Sequence, residues 1–108
     1  MDTLAKLVEE GFALRSLPAY PRHLRVEKHG CAALLEPTPD GRWKQFSAAG
    51  YLVDGQIALL VERNGRQVFA YKSKHVPAEG EPMEKFRRFE QELRSALEHQ
   101  SAQSEPRL

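Results

Sequence analysis

The chain has 108 residues, with 16 Lys or Arg against 15 Asp or Glu and a net charge of +1. At 41% hydrophobic and 29% charged it is too apolar and too nearly neutral for a disordered chain, and its length fits one folded domain. The longest apolar runs, Cys31 to Leu35 and Ile57 to Val61, fall far short of the roughly 20 residues that cross a bilayer.

The first residues predict a short helix. Asp2 or Thr3 can cap it. Leu4, Leu7 and Val8 fall on one face, and Gly11 can end it in the left-handed conformation. Phe12 to Pro21 reads as irregular, because Pro18 and Pro21 disfavour helix before them. Its Phe12, Leu14, Leu17 and Tyr20 predict a segment lying against the core.

From His23 to Val76 the pattern is β. Leu24 and Val26 alternate with Arg25 and Glu27. Cys31 to Leu35 continues that strand after a break at Gly30, read as a bulge. Glu36 to Gly41 is a turn centred on Pro39-Asp40-Gly41. Arg42 to Val53 reads as one strand, and Asp54-Gly55 as a two-residue hairpin turn. Gln56 to Arg63 follows, then Asn64-Gly65, a strong hairpin signal. Arg66 to Val76 closes the set, and Pro77 ends it.

Glu81 and Pro82 suit the first turn of a second helix. Met83, Phe86, Phe89, Leu93 and Leu97 step by three and four along one apolar stripe. The expected architecture is therefore α+β. A four-stranded antiparallel meander, or five-stranded, is flanked by a short N-terminal helix and a longer C-terminal amphipathic one. The domain spans 1–99, with a flexible tail over 100–108.

Two-residue turns fix register. Arg63 then opposes Arg66, Val61 opposes Val68, Leu60 opposes Phe69 and Leu59 opposes Ala70. Around the other turn, Val53 opposes Gln56, Leu52 opposes Ile57 and Tyr51 opposes Ala58. Alternation sorts these side chains onto two faces. One is aliphatic: Phe46, Ala48, Leu52, Ile57, Leu59, Val61, Val68 and Ala70. It reads as the core face, under the C-terminal helix. The other centres on Ala49, Tyr51, Ala58, Leu60, Phe69 and Tyr71, with Trp43 at one end and a polar margin. An apolar, aromatic centre inside a polar rim is how interaction surfaces are built. Trp43, Tyr51, Leu60, Phe69 and Tyr71 are thus the expected docking face, unless the N-terminal segments cover it.

Catalytic signatures are missing: no nucleophile elbow, zincin helix, Walker loop or dinucleotide fingerprint occurs. His29-Gly30-Cys31 sets an imidazole near a thiol, the makings of a nucleophilic pair. The simpler reading is a small buried thiol beside an exposed imidazole. His23, His29, Cys31 and His75 lack the close pairs by which zinc sites are recognised. Asp40 and Asp54 are explained by their turns. The expectation is a chain without cofactor, metal or catalysis.

Charge is unevenly spread. Residues 12–78 hold ten basic against five acidic residues, while both ends are acidic. Arg25, Lys28, Lys72 and Lys74 surround a sheet with exposed-looking aromatics, a layout used for single-stranded nucleic acid. The near-neutral total is unlike most nucleic-acid binders. The sequence therefore predicts a small interaction module, self-associating as a homodimer or binding another protein, with single-stranded nucleic acid as the alternative ligand. One cysteine forms no intrachain disulfide. No basic stretch leads into an apolar run as in a secretory signal. A cytoplasmic location is expected.

Overall fold

The computed structural model describes residues 3–103, with side chains to residue 98. It contains two helices and one antiparallel sheet, in the α+β arrangement expected. Helix α1 (Thr3–Glu9) opens the chain. Strands β1 (Ala13–Ser16), β2 (Leu24–Lys28), β3 (Cys31–Pro37), β4 (Trp43–Gln45), β5 (Gly50–Val53), β6 (Gln56–Arg63), β7 (Arg66–Tyr71) and β8 (Lys74–Pro77) follow, then helix α2 (Gly80–Gln103). The sheet has eight strands in the order β1-β2-β3-β5-β6-β7-β8, with β4 paired to β3. It is larger than the four or five strands expected.

The additional strands arise at four places. Ala13–Ser16 pairs with β2 through Leu14↔Val26, so part of the segment read as irregular is a strand. His29 and Gly30 both have left-handed φ, 56° and 74°. They form a two-residue turn between β2 and β3, not a bulge, and Lys28 pairs with Cys31 across it. Residues 46–49 break the strand expected over 42–53, so β4 lies beside the far half of β3 and β5 beside its first residues. Lys72, with φ 55°, turns the chain back so that Tyr71 opposes Lys74. The two hairpins read from Asp54-Gly55 and Asn64-Gly65 have the expected register at every pair.

Both helices lie on one face of the sheet, and the face is the aromatic one. Phe69 is 0% exposed. Its ring meets Phe86 of α2 edge-on at 5.1 Å and stacks on Tyr51 at 5.2 Å. Phe89, Leu93 and Ala96 extend the contact toward Cys31, Ala33 and Leu35. Gly11 ends α1 with φ 98°, and the Phe12 amide donates back to the Leu7 carbonyl at 2.9 Å. Phe12 thereby reaches Phe89 at 5.9 Å. Val8 points away into solvent instead of sharing the buried face with Leu7.

The aliphatic face expected under α2 is therefore uncovered. The reason is physical. Alternation showed two apolar faces but did not rank them. Rings bury more area than aliphatic side chains and interlock edge to face. Phe86 and Phe89 on α2 meet the rings of Phe69 and Phe12 on that side. Burial of Phe69 contributes about 2–3 kcal/mol. At its far end α2 runs to Gln103, past the start of the tail expected at residue 100. The rest of that tail, and Asp2 as a cap, lie outside the described residues. No helix among the described residues is long and apolar enough to cross a membrane.

Candidate interaction surface

The uncovered face is built by the odd-numbered residues of β6 and the even-numbered residues of β7. Leu59 opposes Ala70, and Val61 opposes Val68. Leu52 and Ile57 extend the row across β5. Phe46 lies just past β4, where its backbone N–H donates to the Leu34 carbonyl at 2.7 Å. Tyr20 and His23 pack edge-on against Phe46, at 5.8 and 4.7 Å. Tyr20, expected against the core, is thus at the surface. The exposures are 49% for Tyr20, 38% for Phe46, 43% for Leu59 and 38% for Val61. These are four of the five large hydrophobic side chains exposed among the described residues.

The residues expected to form the docking face lie elsewhere. Phe69 is wholly inside, so it presents nothing to a partner. Tyr51, Leu60 and Tyr71 are partly buried against the same core. Trp43 lines a hollow of about 310 Å³ between β4 and α2, with Ala49, Leu93 and Leu97. The structure brings Tyr51 and Phe69 together, but under α2.

The four basic residues named for nucleic acid are engaged within the chain. Arg25 bonds Glu27 at 2.6 Å and donates to the Gly55 carbonyl at 2.9 Å. Lys28 donates to Glu92 at 2.7 Å and to the Glu10 carbonyl at 2.5 Å, and sits over the Phe12 ring. Lys74 pairs with Asp54. Lys72 lies over the Tyr71 ring at 5.4 Å. They do not form one free basic surface.

Lys28 and His29 act as a tether. His29 Nε2 meets Glu92 Oε1 at 3.1 Å, so the β2–β3 turn is tied to α2 by two bonds on one carboxylate. Burial opposes ionisation of Glu92, but hydrogen bonds from Lys28 and His29 outweigh it and hold the carboxyl below its usual range. The imidazole therefore points at Glu92, not at the thiol. Cys31 Sγ faces the His29 carbonyl at 3.7 Å. Burial pushes the Cys31 thiol up to about 12, so it stays protonated at neutral pH. Among the described residues, no group of three or more His, Cys, Asp or Glu is placed to hold a metal.

Compared with known protein families, curated proteins and solved structures, the chain matches none.

Proposed function

We propose that this chain is a small, non-catalytic interaction module that pairs with a second copy of itself through the open face of its sheet. The observation that carries this reading is the set of exposed apolar side chains: Leu59 and Val61 on the open face of β6, and Phe46 with Tyr20 beside β4. Several large apolar side chains exposed on one side of a small domain mark an interaction site. Its size supports a second copy as the occupant. Strands β3 to β8 hold 32 residues, each covering about 16 Å² of sheet at ~3.3 Å rise and ~4.8 Å strand spacing. That is about 500 Å² per copy and about 1,000 Å² for the pair, the lower bound for a specific interface. A sheet face also suits a two-fold pairing, because one patch serves both partners. The lone, buried Cys31 supports a reducing, cytoplasmic setting.

The test is the mass in solution by size exclusion with light scattering. The expected value is about 25 kDa, twice the 12.3 kDa of one chain. Leu59→Asp should halve it and leave the circular dichroism spectrum unchanged. A wild-type chain that remains a monomer up to about 1 mM overturns the reading, since pairing weaker than that is no stable dimer.

A further inference from the structure

The β6–β7 hairpin carries a local conflict. Arg63 and Arg66 oppose each other directly across the two strands. Like charges in that position destabilise a hairpin. Neighbouring acids usually relieve such a pair, yet among the described residues neither guanidinium has an ion-pair partner. Both line a hollow of about 370 Å³ at the end of the open face, together with Val68, His75, Pro77 and Glu79. Val68 and Pro77 are Cα partners on β7 and β8 and give the hollow an apolar floor. His75 supplies a ring N–H at its side. Glu79 is the one carboxylate lining it, and it lies beyond ion-pair distance of both arginines.

We infer that Arg63, Arg66 and His75 bind a phosphate group carried on an apolar body. The guanidinium presents a planar fork of donors that matches phosphate oxygens two at a time. Two adjacent guanidiniums carry two positive charges. A phosphate monoester carries about −1.5 to −2 near pH 7, against −1 for a carboxylate, so phosphate is the better match. A phosphate would convert the Arg63–Arg66 repulsion into two attractions. The floor of Val68 and Pro77 takes the apolar group that follows it. The site lies at one end of the face proposed for pairing, so its test is run on the Leu59→Asp chain, where that face is free, as well as on the wild type.

The probe is phenyl phosphate, titrated by calorimetry at constant ionic strength, with benzoate as the carboxylate control. Saturable binding of phenyl phosphate is expected, with benzoate weaker. Arg63→Gln and Arg66→Gln should each weaken it about tenfold or more, the effect of losing a charge-assisted bond. Each should also raise the melting temperature of the free protein, because it removes a like-charge pair. On the Leu59→Asp chain, amide shifts should move at residues 63–68 and 75–77, which tests the site with its own residues unchanged. No saturation up to about 10 mM, shifts confined to other residues, equal binding of benzoate, or unchanged binding in both variants would each overturn the inference.

Discussion

Glu92 and Cys31 show how single residues set the chemistry of this chain. Glu92 receives both Lys28 and His29, and its carboxyl is held below the usual range. A carboxylate with a lowered folded value stabilises the fold above its unfolded value, near 4.3. That contribution is lost as pH falls through the lower folded value. Glu92→Gln should therefore lower stability at neutral pH by about 0.5–1 kcal/mol. The difference from wild type should vanish in acid, once both side chains are neutral. Denaturant melts at pH 7 and below pH 3 check it. An unchanged gap in acid would show that the tether is not ionic. Cys31 is fully buried, its thiol pushed up to about 12. It should react with a thiol reagent about 100-fold or more slowly in the native chain than in denaturant, because reaction waits on opening of the fold. Fast native labelling would revive the nucleophilic reading of His29 and Cys31.

At the level of elements, what could be read depended on the turns. Asp54-Gly55 and Asn64-Gly65 declare themselves, since Asn or Asp followed by Gly suits a turn with two left-handed residues. Every strand pair around them is as the sequence implied. His29-Gly30 makes the same turn with an uncommon first residue, and Lys72 takes φ 55° without being Asn, Asp or Gly. Those hairpins were hidden, and with them two of the strands. The break over residues 46–49 was hidden too, because alternation continues through it. Gly50 sits where the strand resumes, and its role is steric. A methyl added there would collide with the Ala58 carbonyl oxygen and stand 2.7 Å from Ile57 Cγ2. Gly50→Ala should cost about 1–3 kcal/mol by overpacking. A thermal melt checks it. A neutral result would mean that β5 and β6 can separate without loss.

Across the whole molecule, the two faces of the sheet make opposite predictions. The apolar content of both was legible in residues 46–71, but which face α2 would take was not. That choice rests on ring partners on α2 and Phe12, long-range contacts that local periodicity does not encode. Phe69→Ala should cost about 3–4 kcal/mol, as for a fully buried ring. Leu59→Asp should leave the melting temperature of the monomer within a few degrees and act on mass alone. Salt gives the sharper test of what holds two copies together. The segment that forms the sheet holds ten basic against five acidic residues, so face-to-face pairing brings two basic regions together. Added salt screens that repulsion within about 10 Å at 0.1 M and strengthens apolar burial slightly. The dimer dissociation constant should therefore fall as NaCl rises from about 0.05 to 0.5 M. Phosphate contacts to a nucleic acid would move steeply the other way. Sedimentation across that range decides the sign. A dimer that loosens with salt would place the contact on ion pairs, away from Leu59 and Val61.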